Sequence, residues 1–69
     1  MTKQLMTKAE RRASLIKAGV RLLASGTEWS KLSCAKVAAE DGVSAPLVFH
    51  IFGDRKKLHK AIKAAYGRG

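Results

Sequence analysis

The groups in this chain that could hold a partner are overwhelmingly cations. Fourteen Lys and Arg stand against five acids, giving a formal charge of +9 on 69 residues and a pI near 10.4. Ammonium and guanidinium groups at that density neutralise phosphates and release condensed counterions, so a polyanion is the expected partner. Catalytic chemistry is harder to assemble. Glu10, Glu28, Glu40, Asp41 and Asp54 read as caps, a turn and surface, and none pairs with a nucleophile. Cys34 has no second cysteine, and with His50 and His59 it makes no zinc spacing. No enzyme, metal or cofactor is therefore expected, and Cys34 reads as a small buried hydrophobe. The absence of a signal-like N-terminus and of any apolar run near the roughly 20 residues of a membrane span predicts a cytoplasmic protein with no membrane partner.

The elements that would position these groups centre on Val37 to Phe52, VAAEDGVSAPLVFHIF. A short helix should end at Glu40 or Asp41, turn on Gly42 in the left-handed conformation, and restart from Ser44. Ser44 is expected to offer its side chain to the new helix's free amides, with Pro46 in the first turn where a missing amide is harmless. Two helices joined in this way form a helix-turn-helix, whose second helix can enter a DNA major groove.

That stretch, followed by GDRKKL, resembles the DNA-binding domain of tetracycline-repressor-like (TetR) regulators. The resemblance extends upstream: Leu15 to Gly26, LIKAGVRLLASG, is similar to that family's first helix, and Leu32 to Ala38, LSCAKVA, to the entry of its second. It implies an all-α, four-helix, homeodomain-like domain that binds double-stranded DNA and represses or otherwise regulates transcription. The implied DNA-binding residues are Ser33, Lys36, Ser44, Ala45, Pro46, Leu47, Phe49, His50, Arg55 and Lys56, with Arg55 where the family has a basic residue gripping phosphate. The chain departs from the pattern at Phe49, where the family has a phosphate-contacting tyrosine, and at Ile51, where histidine or tyrosine is common. It also stops before the long ligand-binding and dimerisation domain of that family, so no small-molecule ligand is expected. A homodimer is expected only on DNA. The Met1 start and Gly-Arg-Gly end speak for a natural chain over a truncated repressor.

The remaining elements follow in order. Residues 1–7 should be a flexible basic arm that includes Lys3, residues 8–66 the domain, and 67–69 a flexible tail. Thr7 and Glu10 form a capping box for a first helix over Lys8 to Ser25, with Leu15, Ile16, Gly19, Leu22 and Leu23 on its apolar face. Lys8, Arg11, Arg12, Lys17 and Arg21 form its other face, which reads as solvated except at the N-terminal turns, which the resemblance places near the DNA backbone. Trp29 reads as a lid over the core and Leu32 as part of it. Ser33 should cap a second helix to Glu40, with Cys34, Val37 and Ala38 inward. The third helix, Ala45 to Phe52, should bury Val48, Ile51 and Phe52 and expose Ala45, Pro46, Leu47, Phe49 and His50, a face suited to thymine methyls and DNA shape. Asp54 should cap a fourth helix, Arg55 to Tyr66, with Leu58, Ala61, Ile62 and Ala65 inward and its basic row in part complementing the C-terminal dipole. Tyr66 could close the core or touch a second chain. Two other functions suit the same residues: a low-specificity accessory DNA-binding protein of a plasmid or phage, and a helix-turn-helix that inhibits a protein partner.

Overall fold

The computed structural model describes residues 7–67, and they fold without strands into four helices: α1 (Lys8–Ala24), α2 (Cys34–Asp41), α3 (Ala45–Phe52) and α4 (Arg55–Gly67). One 3-10 turn, Trp29–Lys31, sits in the α1–α2 connection. Apart from Thr7, the expected N-terminal arm lies outside the described residues, as do the last two residues of the expected tail. Gly67, expected in the tail, is the last residue of α4.

Local chemistry explains where each helix begins. The Thr7 hydroxyl accepts from the Glu10 amide while the Glu10 carboxylate accepts from the Thr7 amide, so the capping box that starts α1 is complete. Ser33 caps α2 by accepting from the Lys36 amide at 3.1 Å, and Asp54 caps α4 by accepting from the Lys57 amide at 2.8 Å. Ser44 differs from expectation. It occupies the cap position of α3, but its side chain makes no capping bond. Pro46, two residues on, has no amide to give, and the Leu47 amide donates instead to the Ser44 carbonyl at 3.1 Å.

Helix α2 ends in a Schellman turn. Gly42 takes φ 79° and ψ 28°, the Val43 amide donates to the Ala38 carbonyl at 2.9 Å, and that of Gly42 to Ala39 at 3.3 Å. Val43 packs on the core at the same point, so the turn is held by backbone bonds and one apolar contact.

The core draws on every helix: Leu15, Ala18 and Leu23 of α1, Cys34, Val37 and Ala38 of α2, Val48 and Phe52 of α3, and Leu58 and Ile62 of α4, with Leu32 from the connection. Helix α1 packs against all three others. Gly19 lets α4 approach, since a Cβ there would fall on Ile62 Cδ1 and lie 2.8 Å from its Cγ1. Ile51, expected in the core, is half-buried against it, and so is Ala45, expected on the exposed face. Ala65 corrects the predicted stripe on α4. It is exposed because the helix runs past Ile62, its last buried residue, and Tyr66, 43% exposed, does not close the core.

Two stability outcomes follow from these geometries. A Cβ at Gly42 meets no atom within 4 Å, so Gly42→Val should destabilise through backbone conformation alone, by about 1–2 kcal/mol in urea unfolding, with Gly42→Asn costing less. Gly19→Ala gains about 1 kcal/mol of helix propensity but overpacks Ile62 at a cost of about 1–3 kcal/mol. Net destabilisation is expected, and Ile62→Val in the same chain should recover part of it. Strict additivity of the two changes would refute the close approach.

Candidate nucleic-acid interface

Helix α3 follows the α2 turn and precedes α4 after only Gly53 and Asp54, so three helix N-termini succeed one another within a short length of chain. Their charges are unusual. None of α2, α3 or α4 carries an acid in its first turn, whereas α2 carries Lys36 there and α4 carries Arg55, Lys56 and Lys57. Cations at a helix N-terminus oppose the macrodipole, by about 0.3–1 kcal/mol each at exposed sites. The expectation that the basic row of α4 complements the C-terminal dipole is thereby corrected, because the last turn of α4 holds no base. Lys56 and Lys60 also stand one turn apart on the same helix, as do Lys60 and Lys63, and like charges at such spacing are mildly repulsive. These placements disfavour folding slightly and favour an incoming anion.

The predicted residues fall into two groups. Pro46, Phe49 and His50 of α3 are exposed, Phe49 to 50%. His50 and half-buried Leu47 line an open groove of about 310 Å³ with Ile51 and with Thr7, Lys8 and Arg11 from the start of α1. The first turn of α1 therefore supplies cations beside α3. Exposed Ser44 stands at the N-terminus of α3, and Ala45 turns toward the core.

The second group adjoins the 3-10 turn. Ser33 is half-buried and its hydroxyl is engaged in its cap, while Lys36 is exposed one turn on. Arg55 is exposed, but its Nη2 donates to the Ser30 carbonyl at 2.9 Å, so part of its fork already serves the fold. Burial pushes the Cys34 thiol above its ordinary value; nearby Arg55 opposes that shift and Asp54 adds to it. The Arg55–Ser30 bond holds the start of α4 beside the 3-10 turn that leads into α2. Lys56 lines a cleft together with Trp29.

Other contacts have no counterpart in the sequence pattern. Asp41, at the end of α2, has one carboxylate oxygen accepting from the Ser14 hydroxyl at 2.7 Å, while the other, itself buried, lies 3.6 Å from Arg11 Nη1. It ties the end of α2 to α1 beside the α3 groove. Arg12 lies over the Phe52 ring at 5.4 Å, and Arg21 pairs with Glu40 at 3.0 Å. The supposedly solvated side of α1 is thus partly a set of interhelical ties, which a helical wheel cannot reveal because the partners lie far along the chain. His59 has a structural role of the same kind; its Nε2 bonds the Leu32 carbonyl and its ring meets Trp29 edge-on at 5.4 Å between centroids.

Comparison of the chain with protein-family models, with curated proteins and with solved structures gives no match. No described helix is long and apolar enough to cross a membrane.

The Cys34 environment yields a direct check. The unfolded thiol ionises at about pH 8.5, whereas the folded one holds its proton to higher pH. Its contribution to stability should be complete below the unfolded value and be lost as pH rises through the folded one. Urea unfolding of the wild type and of Cys34→Ala should show that alkaline decline shrinking in the variant; an identical pH dependence would refute a buried thiol.

Proposed function

We propose that this domain binds double-stranded DNA, with α2, the Gly42 turn and α3 acting as a helix-turn-helix and α3 set in the major groove, and that it serves as a small transcriptional regulator, most simply a repressor. The observation that carries this reading is the groove in which Leu47 and His50 of α3 stand beside Lys8 and Arg11 of α1. It pairs a surface that can touch base edges with cations that can hold the flanking phosphates. The N-termini of α2 and α4, with Lys36, Arg55 and Lys56, support further backbone contacts. The resemblance of Val37 to Leu58 to TetR-like regulators points the same way and, through Arg55, to a phosphate grip at the start of α4.

On this reading His50 supplies the one hydrogen-bonding side chain of the exposed α3 face, while Pro46 and Phe49 offer apolar contact to thymine methyls. A single domain reads few base pairs, so two chains pair on a partly palindromic site. The exposed Phe49 also favours a second reading, in which α3 docks on a protein partner.

Duplex affinity should fall steeply with salt, at a slope of roughly minus 3 to minus 4 if about four phosphates are neutralised per domain. Lys36→Gln, which breaks no side-chain bond of the fold, should flatten that slope by about 1 and weaken all sequences alike. His50→Ala should cost about 1–3 kcal/mol on a selected site and less on random duplex. Phe49→Tyr should add about 0.5–1.5 kcal/mol through a phosphate bond. Absence of duplex binding at low salt would sink the DNA reading in favour of the protein-docking one.

A further inference from the structure

A second cleft lies away from the α3 groove. It is open, about 630 Å³, and lined by Trp29, Lys56, Lys57, His59, Lys60 and Lys63, a size that accommodates a drug-sized ligand. Its walls are joined at three points: Arg55 Nη2 donates to the Ser30 carbonyl, His59 Nε2 bonds the Leu32 carbonyl, and the His59 ring meets the Trp29 indole edge-on. The Trp29 wall is therefore held against α4 before any ligand arrives, which lowers the entropic cost of binding. A lid over the core would account for half-buried Trp29 alone. It does not account for four lysines gathered around it, none of which enters an ion pair among the described residues.

We infer that the Trp29–α4 cleft is a separate site for single-stranded nucleic acid, with a base stacked against Trp29 and the adjoining phosphates held by the α4 lysines. An aromatic platform inside a cationic groove is the combination that single strands recognise. A duplex fits it poorly, because each of its bases is already stacked on both faces and cannot reach a recessed indole. An acidic peptide fits it less well, since its carboxylates are best met by the planar fork of Arg, whereas Lys acts as a point charge indifferent to orientation. The inference does not depend on the duplex proposal, with which the cleft shares only Lys56.

Trp29 is the only tryptophan, so its fluorescence reports on the site in the full chain. A short oligothymidylate should quench it saturably, and a labelled strand should show binding by anisotropy. Trp29→Leu should weaken that binding about tenfold and Trp29→Phe far less. Lys60→Gln with Lys63→Gln should flatten the salt dependence by about 1.4, at roughly 0.7 for each phosphate no longer neutralised. His50→Ala and Lys36→Gln should leave it unchanged, so loss of this site and loss of the duplex site are separately visible. Should Trp29→Leu fail to fold, an abasic strand of equal charge decides in its place, and it should bind at least several-fold more weakly than oligothymidylate. Equal binding of the abasic strand would overturn the inference, as would equal quenching by duplex. Displacement of the oligonucleotide by an aromatic-bearing oligoglutamate at lower concentration would also overturn it and assign the cleft to an acidic protein segment.

Discussion

The approach of α4 to α1 at Gly19 governs how far this small bundle can close. Helix α1 is the shared neighbour of all the others, and where Gly19 meets Ile62 there is no room for a side chain. With α4 seated at that distance, Leu58 and Ile62 complete the core begun by Leu15 and Ala18, and Val48 and Phe52 of α3 fill the remaining side. A domain of this length has little apolar area to spare, so one close contact carries more of its stability than it would in a larger protein.

Charge is distributed by role. The acids whose contacts are visible are spent on structure: Glu10 and Asp54 in caps, Asp41 and Glu40 in ties to α1. Most of the bases are left facing solvent, and those at the start of α4 stand where its dipole disfavours them. The Asp54 cap offsets the dipole at that terminus, but three bases follow it directly. Local departures of this kind concentrate where a protein meets a ligand, since the ligand's charge resolves in the complex what is unfavourable in the free state.

Much of the architecture is legible in the sequence because it is written in short-range chemistry. Thr7 with Glu10, Ser33, Gly42 and Asp54 mark helix ends by interactions spanning three or four residues, and each is found in its expected role. Ser44 fails for an equally local reason: Pro46 is not only tolerated in the first turn but removes one of the donors that a capping side chain would meet. The long-range ties are not legible. Nothing near Asp41 in the chain announces Ser14 or Arg11, and nothing near His59 announces Leu32 or Trp29, because those pairs meet only once α1, α2 and α4 have packed. The α3 surface is legible in part: Pro46, Phe49 and His50 are exposed, but Ala45 packs inward because the first turn of α3 leans on the core.

The turn at Gly42 closes on itself through the amides of Gly42 and Val43 and the packing of Val43 on the core, drawing on none of the outward side chains of α3. Orientation and surface chemistry are consequently separable in this domain. Phe49 and His50 can vary together without touching the Gly42 turn, whereas Pro46 shapes the first turn of α3. The same scaffold can thus carry a different outward face on α3 without a change in the turn that presents it.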